Sequence, residues 1–319
     1  MSHFASPPTS VFFTKSDAQD PRLGEVFAFH ETPLLDKGLA LLGYPDDDGV
    51  KANGGRIGAS QGPDQIRHWL YRMVTPENLQ AQEKQNIKLM DLGNLNRFES
   101  LSLKERHLNG FLKMKEALTL GHRGLSFGGG HDYGYPDGKA FLESLDENAK
   151  PLILNFDAHL DVRPPNPENH SGTPFYRLRS EFLNFEMIQI GIQNQCNSKA
   201  HLKWCNENNI QILSLDAIWN SSQSLVDLFK NQFSQALTKD RPTFVSIDID
   251  GFSWSYAPGC SQSWPTGLEP RDFFPLYDFL LQHLDVRLTS IYEVAPPLDV
   301  ENGTSKLAAQ IAYRFLRSL

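Results

Sequence analysis

Two apolar runs in the sequence lead directly into side chains that could bind a metal ion. The run that ends at Phe127 is followed by three glycines and His131, and glycines let the backbone bring an imidazole over a strand end. The next run leads into an Asp-x-His-x-Asp pattern formed by Asp157, His159 and Asp161. These three side chains would share one face if the strand continued, and burying them is costly unless a positive charge compensates them.

A third apolar run ends in two carboxylates, Asp248 and Asp250, with a period of two. Carboxylates on the same side of a strand repel each other, and one pKa rises sharply unless a cation lies between them. Two metal ions about 3.5–4 Å apart would offset both costs and could share a water that yields hydroxide near neutral pH. The pattern therefore predicts a hydrolase, and its oxygen and imidazole ligands suit Mn²⁺, with Mg²⁺ or Fe²⁺ left open.

The elements that must position these residues are predicted by eight short apolar runs, each bounded by Gly, Pro, Asp or Asn. The predicted strands are Gly38–Gly43, Ile87–Leu92, Gly124–Phe127, Leu152–Phe156, Met187–Ile192, Ile210–Leu215, Phe244–Ile249 and Val286–Val294. The predicted helices are Gly62–Met73, Ser224–Leu237, Pro270–His283, Ser305–Leu316 and one whose apolar face carries Leu108, Phe111, Leu112 and Leu118. Alternating strands and helices predict an α/β fold with a mainly parallel sheet, and ligands gather at the carboxyl ends of such strands.

The first 36 residues are rich in Ser, Pro, Thr and Asp, which predicts an irregular N-terminal arm before a single α/β domain over residues 37–319. The net charge of −8 is opposite in sign to that of a general nucleic-acid binder. No apolar stretch approaches the roughly 20 residues that cross a bilayer, so no membrane partner is expected. The N-terminal sequence lacks the pattern of a signal peptide, and three cysteines without a CxxC pair favour a reducing compartment, so we expect a cytoplasmic protein.

Taken together, the three motifs resemble the metal motifs of the ureohydrolases, the superfamily of arginase, agmatinase and formimidoylglutamase. The resemblance runs from about Gly38 to the last predicted helix and implies a three-layer arginase-like fold, with a mainly parallel eight-stranded sheet and helices on both faces. It also implies two Mn²⁺ ions, one on His131, Asp157, Asp161 and Asp248 and the other on Asp157, His159, Asp248 and Asp250. All six ligand positions are filled in this sequence, which disfavours a metal-free relative.

Two further segments resemble superfamily motifs outside the metal ligands. The segment Ile291–Pro296 resembles a strand end whose glutamate, here Glu293, holds the amidine or guanidine nitrogens of the substrate through paired hydrogen bonds. A surface acid or a helix N-cap is the alternative for this residue. The glycine-rich segment around Arg56 resembles a loop near the site entrance, although an arginine there could be merely structural.

The outer positions of the sequence depart from arginase. Phe175 stands where arginase has its catalytic histidine, and no acid follows Gly191 to receive an α-ammonium group. Arg163, just after the second motif, adds a guanidinium whose fork suits a carboxylate. The alternative is that Arg163 pairs with an acid of the protein such as Asp132 or Asp161.

These outer positions instead resemble the formimidoylglutamase branch, which implies hydrolysis of N-formimidoyl-L-glutamate to L-glutamate and formamide in histidine degradation. That substrate carries its amidine on a dicarboxylic acid, which fits the charge of Arg163. The residues expected to contact the substrate are Arg163, Glu293, Ser171, Gly172, Gln193, Asn194 and Arg56. The residues expected to assist catalysis are Asp161, Asp250, Glu293 and His170, the last as a proton shuttle unless it only buttresses Arg163.

Two kinds of alternative function stay open. Agmatinase, guanidinobutyrase or another guanidino-acid ureohydrolase would keep the six ligands and differ only around Arg163, Gln193 and Asn194. A non-catalytic metal-binding scaffold is the alternative of another class, and the complete ligand set speaks against it. Relatives form trimers, hexamers or smaller species, so the sequence leaves a homo-oligomer open.

Overall fold

A computed structural model of the chain describes residues 3–80, 87–96, 101–166 and 168–319. Within these ranges one sheet contains ten strands. The strands are β1 (Phe4–Ala5), β2 (Ala28–Phe29), β3 (Gly38–Gly43), β4 (Lys88–Leu95), β5 (Arg123–Phe127), β6 (Leu152–Phe156), β7 (Glu186–Ile192), β8 (Gln211–Ser214), β9 (Pro242–Asp248) and β10 (Asp285–Tyr292).

The α-helices in the described ranges lie mostly between these strands. They are α1 (Leu23–Val26), α2 (Asp48–Ala52), α3 (Gly62–Leu70), α4 (Glu77–Gln80), α5 (Leu103–Thr119), α6 (Gly134–Glu143), α7 (Pro174–Glu181), α8 (Lys199–Glu207), α9 (Leu215–Trp219), α10 (Leu225–Gln232), α11 (Pro270–His283) and α12 (Gly303–Arg317). Among the described residues, none of these helices combines the length and the apolar character needed to cross a membrane.

The strand order across the sheet is β1-β4-β3-β5-β10-β9-β6-β7-β8, and β2 also pairs with β4. β1 is antiparallel to β4, and the remaining pairs are parallel. All eight predicted strands are present. The two additional strands, β1 and β2, lie within the first 36 residues, where the sequence predicted irregular structure, because two-residue strands are too short to show a periodicity.

Apolar side chains cover both faces of the sheet, because alternate residues of each strand point to opposite sides. Leu39 and Leu41 belong to one core, which includes residues of α3, α10, α11 and α12, whereas Ala40 and Leu42 belong to the other. This second core includes residues of α5, α6, α7 and α8. The sheet therefore lies between two helical layers, as the sequence predicted.

The helix α5 is present where it was predicted, but its predicted apolar face is partly wrong. Phe111 and Leu118 are buried, whereas Leu108 and Leu112 are each 52% exposed. The other buried residues of this helix are Arg106, His107, Gly110, Met114 and Ala117. Because Arg106 and His107 contact the buried acids Asp46 and Asp132, polar residues occupy a face that hydropathy assigned to the solvent.

Four adjacent strands in the middle of the sheet, β5, β10, β9 and β6, precede the residues that the sequence singled out. Their carboxyl ends are level, since Ile291 pairs with Phe127, Tyr292 pairs with Asp248, and Phe156 pairs with Ile247. The polar residues that end or follow these strands therefore meet at one edge of the sheet.

Candidate metal centre and substrate cavity

His131 lies at the centre of a first group of possible metal ligands. Its Nδ1 is 3.2 Å from Asp157 Oδ2, 2.9 Å from Asp161 Oδ2 and 3.1 Å from Asp248 Oδ2. Nδ1 has no hydrogen-bond partner among the described residues, although ligand atoms from all four residues lie within 4.8 Å of one another. Donor atoms that converge in this way, without bonding to each other, suit a cation between them.

A second group of possible ligands shares one carboxylate with the first. It consists of Asp157, His159 and Asp250, and His159 Nδ1 is 3.5 Å from Asp157 Oδ1 and 3.2 Å from Asp250 Oδ2. The two oxygens of Asp157 thus face different groups, which is the arrangement of a bridging carboxylate. Asp248 belongs to the first group alone, so its expected role as a second bridge stays a prediction.

A turn rather than a continued strand brings Asp157, His159 and Asp161 together. β6 ends at Phe156, and the His159 N–H donates to Asp157 Oδ1 at 2.7 Å. Asp161 has a φ of +50°, in the left-handed region that non-glycine residues seldom adopt. Such strain clusters at functional sites, where the surrounding structure holds it. The expectation that a continuing strand would align these side chains is corrected accordingly.

The other ring nitrogen of His131 is held by a residue of β9. Nε2 lies 2.9 Å from Ser246 Oγ, and the ring stacks on Tyr292 with centroids 4.8 Å apart. For Nδ1 to offer its lone pair to a cation, Nε2 must carry the proton and donate it to Ser246. Ser246 Oγ can accept that proton, so its position is compatible with the tautomer of His131 that can bind a metal.

A pair of buried amides holds Asp157 from behind. Asn155 Nδ2 donates to Asp157 Oδ2 at 3.1 Å and to Gln189 Oε1 at 2.8 Å, and Gln189 Nε2 donates to the Leu160 carbonyl at 2.9 Å. The sequence analysis missed both Asn155 and Ser246. Each stands two residues before a ligand, on the same face of its strand, and a polar residue at that spacing was the available signal.

The chain alone does not balance the charges of this cluster. Burial, together with Asp250 and Asp157, raises the pKa of Asp248 well above its ordinary value. Burial also raises the pKa of Asp250 to about 6. Burial by itself would lower the pKa of His131, but the facing carboxylates outweigh it and raise that pKa well above the usual range. Without cations the cluster retains protons, and divalent cations would displace them, so these residues fit a metal site.

A polar cavity opens above the ligands. Its lining residues are Asn53, Gly55, His159, Asp161, Arg163, Ser171, Asp248, Asp250, Ser261, Gln262 and Glu293. Arg163 is the only lysine or arginine in this lining, as far as the described residues go. No described carboxylate forms an ion pair with Arg163, and Asp132 instead contacts His107 Nε2 at 2.6 Å. The alternative that Arg163 pairs with Asp132 or Asp161 is therefore not what the structure shows.

Glu293 enters the same cavity from the end of β10. It has a φ of +64° and is 4% exposed, and its Oε1 accepts the His131 N–H at 3.1 Å. Its Oε2 has no hydrogen-bond partner in the described part of the chain. Burial and the neighbouring Asp248 raise the pKa of Glu293 well above its ordinary value. A planar cation with N–H donors would satisfy the second oxygen and stabilise the charged carboxylate.

Four of the residues expected to contact the substrate do not line the cavity. Three of them, Gln193, Asn194 and Arg56, bond to other parts of the protein, and Gly172 is the fourth. Gln193 Nε2 donates to the Thr266 carbonyl at 3.2 Å, and the Thr266 hydroxyl donates to Gln193 Oε1 at 2.7 Å. Asn194 donates to Asp216 at 2.6 Å. Arg56 donates to the carbonyls of Ser261 and Cys260 at 3.0 and 2.9 Å, so it anchors a loop. We leave these three residues out of the proposed substrate site.

His170 and Gly172 do not line the cavity. His170 Nδ1 accepts the Gly172 N–H at 3.2 Å, and the Gly172 carbonyl accepts the Arg163 N–H at 2.9 Å. Burial, with a contribution from Arg163, lowers the pKa of His170. These contacts favour a buttress for the segment that carries Arg163 over the expected proton shuttle.

Four lining residues, Asn53, Gly55, Ser261 and Gln262, were not among the candidates from the sequence. Asn53 opens the glycine-rich segment that the sequence analysis did single out, so its polar side chain in that segment was a signal. Ser261 and Gln262 lie in a loop between β9 and α11 without a recognisable pattern. Their position depends on the hydrogen bonds from Arg56 to that loop.

The fold and the ligand cluster define an α/β protein with a metal-binding site at the carboxyl edge of a parallel sheet. The chain belongs to the arginase family, whose model matches residues 37–317. A formimidoylglutamase of Legionella pneumophila (strain Paris) is 32% identical over 295 residues, covering 90% of this chain and 87% of the relative. One of Staphylococcus haemolyticus (strain JCSC1435) is 30% identical over 279 residues, covering 88% and 86%.

Solved structures resemble the chain over nearly its whole length. Trypanosoma cruzi formiminoglutamase with Mn²⁺ gives a TM-score of 0.79 at 27% identity, covering 94% of this chain and 98% of that one. The formimidoylglutamase of Bacillus subtilis subsp. subtilis str. 168 gives a TM-score of 0.82 at 27% identity, covering 96% and 94%. The predicted family and the arginase-like fold are confirmed.

Proposed function

We propose that this arginase-family hydrolase is a formimidoylglutamase, which cleaves N-formimidoyl-L-glutamate to L-glutamate and formamide in histidine degradation. The observation that carries the proposal is the pairing of opposite charges in one cavity. Glu293 offers an unpartnered carboxylate oxygen, which suits an amidine, and Arg163 offers a guanidinium without an acid partner among the described residues, which suits a carboxylate. The similar relatives and structures bear the same name.

We propose two Mn²⁺ ions as the cofactor, held by His131, Asp157, Asp161, Asp248, His159 and Asp250. Oxygen and imidazole donors suit Mn²⁺, Mg²⁺ and Fe²⁺, and the similar Trypanosoma cruzi structure contains Mn²⁺. When bound, such ions supply a water of lowered pKa as the nucleophile and polarise the carbon that it attacks.

The side chains of the cavity then account for the remaining requirements of the reaction. Glu293 Oε2 would accept hydrogen bonds from the amidine nitrogens and hold the planar group in place. The water oxygen bonds to the amidine carbon, the bond from that carbon to the glutamate nitrogen breaks, and the nitrogen gains a proton. We infer that Asp161 or Asp250 carries this proton from the attacking water to the nitrogen, since both line the cavity and Asp250 Oδ1 lacks a hydrogen-bond partner in the described residues.

The positive charge of Arg163 also distinguishes between the alternative substrates, because they differ in charge. Agmatine carries two positive charges and no carboxylate, so a cavity that contains Arg163 disfavours it. A guanidino acid such as guanidinobutyrate keeps one carboxylate and is the second candidate. A non-catalytic scaffold would not need an unpartnered carboxylate, such as that of Glu293, in the same cavity as the converging ligands. The cytoplasmic location and a homo-oligomeric assembly stay predictions.

A substrate panel tests the proposal. Purified protein loaded with Mn²⁺ should release L-glutamate and formamide from N-formimidoyl-L-glutamate and should leave arginine, agmatine and guanidinobutyrate largely intact. The Asp157→Asn variant should lose activity to background, because Asp157 faces both ligand groups. Release of urea from a guanidino compound, without turnover of formimidoylglutamate, would overturn the assignment. Activity that survives in Asp157→Asn would contradict the proposed metal centre.

A further inference from the structure

Asn53 lies between two polar side chains in the outer wall of the cavity. Its Oδ1 is 2.7 Å from Arg163 Nη1, and its Nδ2 is 3.0 Å from Ser171 Oγ. All three residues line the cavity. A guanidinium has donors and no acceptor, so the Asn53 atom that faces Arg163 must be the carbonyl oxygen. The amide nitrogen must then face Ser171, and the neighbours of the amide thus fix its orientation.

This orientation determines what Ser171 can do. Its Oγ accepts from Asn53 Nδ2, so its own hydroxyl hydrogen is not used in that bond. In the described part of the chain, no other hydrogen bond of the Ser171 hydroxyl is formed. The hydroxyl can therefore donate to a ligand in the cavity. The Arg163 side chain uses one N–H group on Asn53, and among the described residues its other side-chain donors have no acceptor, so they can likewise bind a ligand.

The backbone holds Asn53 firmly at the end of α2. Its N–H donates to the carbonyls of Gly49 and Val50 at 3.2 and 3.1 Å. The Ser171 N–H donates to the same Gly49 carbonyl at 3.1 Å, so α2 also fixes the serine. Three residues further on, the Arg56 N–H donates to Ser261 Oγ at 2.8 Å and links this segment to the loop that contains Ser261.

We propose that Asn53 is a positioning residue that turns this wall into a set of hydrogen-bond donors for a carboxylate of the substrate. Its carbonyl directs Arg163, and its amide group leaves the Ser171 hydroxyl free to donate. A wall of donors selects an anionic amidine over a neutral or cationic one. This inference rests on the proposed function, because it specifies how that site would recognise the acid part of the substrate.

The Asn53→Asp variant tests the inference with almost no change in shape. The new carboxylate would pair with Arg163 and accept the Ser171 hydroxyl, so both donors would be withdrawn from the cavity. We expect the KM for formimidoylglutamate to rise by about tenfold or more, and kcat to change far less. Binding of L-glutamate to the Mn²⁺-loaded protein, measured by calorimetry, should weaken by a similar factor of about ten.

Two controls separate this effect from charge and from folding. Asn231→Asp makes the same change of charge at an exposed position of α10, and it should leave KM and glutamate binding at their wild-type values. Ser171→Ala should raise KM in the wild type but add little in the Asn53→Asp background, because the hydroxyl is already engaged there. Should Asn53→Asp fail to fold, unchanged KM and glutamate binding in Ser171→Ala would overturn the inference, and weakened binding would support it.

The outcomes also distinguish this inference from the proposed function. Unchanged KM and glutamate binding in Asn53→Asp would overturn the positioning role, and so would a fall in kcat with unchanged binding. A wild-type protein that does not cleave formimidoylglutamate would overturn the proposed function. In that case glutamate binding still tests the positioning role of Asn53. Equal affinities of the wild type and Asn53→Asp for glutamate would overturn that role as well.

Discussion

Residues that hydrogen-bond to the proposed metal ligands hold those ligands in position. Ser246 contacts His131 Nε2 at 2.9 Å, and Asn155 donates to Asp157 Oδ2 at 3.1 Å. Both residues are fully buried within strands, so their polar atoms depend on these partners. Outer partners of this kind fix the tautomer and the orientation of a ligand, and they affect the affinity for the metal without touching it.

We predict that Ser246→Ala weakens Mn²⁺ binding by about 10- to 100-fold, because the Nε2–H of His131 loses its acceptor. Ser290→Ala is the matched control, since Ser290 is the register partner of Ser246 on β10 and donates to Asp137 at 2.9 Å. The control should lower stability but not affinity. Competition with a metal chelator measures both variants, and equal losses would contradict a specific role for Ser246.

Much of the site could be predicted from residue types and spacing. The structure brings the six predicted ligand residues and Glu293 to one edge of the sheet. Period-two spacing at the ends of apolar runs was sufficient for this, because each motif is local. The wall formed by Asn53, Arg163 and Ser171 joins loops from distant parts of the chain, and no local pattern encodes such contacts. Gln193 was misplaced for the same reason, since its partner Thr266 is in another loop.

Among the elements, α3 and β4 are joined by a buried ion pair on one face of the sheet. Arg67 of α3 donates from Nε and Nη2 to Asp91 of β4 at 2.8 and 2.9 Å, and both side chains are fully buried. Tyr71 donates to the same carboxylate at 2.6 Å. Removing one partner of such a pair leaves an uncompensated charge in the interior.

We predict that Asp91→Ala lowers the free energy of unfolding by about 3–5 kcal/mol, because Arg67 would stay buried without its counter-charge. The comparison is Asp278→Ala, which breaks the ion pair with Arg314 between α11 and α12. These side chains are 33% and 35% exposed, and such a pair contributes only about 0–1 kcal/mol. Urea unfolding of both variants measures the difference, and similar losses would show that the buried pair has no special role.

The strands were more predictable than the faces of the helices. β3 and β6 have the predicted bounds, because continuous apolar runs with sharp polar ends define buried parallel strands. The apolar face of α5 was partly misplaced, because Arg106 and His107 are buried against acids that lie far away in the sequence. Hydropathy assigns such residues to solvent, and only the tertiary contacts reveal their direction.

For the molecule as a whole, the proposed metal centre concentrates carboxylates at the ends of the four central strands. Protons hold this cluster together when cations are absent, as the raised pKa values of Asp248 and His131 indicate. Cations that bind only the folded chain would stabilise it by mass action. The division between an arm at residues 1–36 and a domain at residues 37–319 stays a prediction.

We predict that Mn²⁺ at about 100 times its dissociation constant stabilises the fold by about 2.7 kcal/mol, and that a chelator reverses this. At a fixed Mn²⁺ concentration the gain should increase as the pH rises from about 6 to 8, because the ligands must release protons before they bind the ion and the dissociation constant therefore falls. Thermal unfolding with Mn²⁺ or with chelator measures the effect. An identical melting temperature under both conditions would contradict a metal centre in this cluster.

The strand order also bears on how the chain is synthesised. β10 is made after both β5 and β9, yet it lies between these two strands, which carry His131 and Asp248 at their ends. Translation proceeds at about 5–20 residues per second, so β10 leaves the ribosome roughly ten seconds or more after β5. During that interval the two halves of the ligand cluster lack the strand that sets their spacing. The first group of proposed ligands, in which His131 faces Asp157, Asp161 and Asp248, can therefore bind a metal ion in this geometry only after β10 has been made.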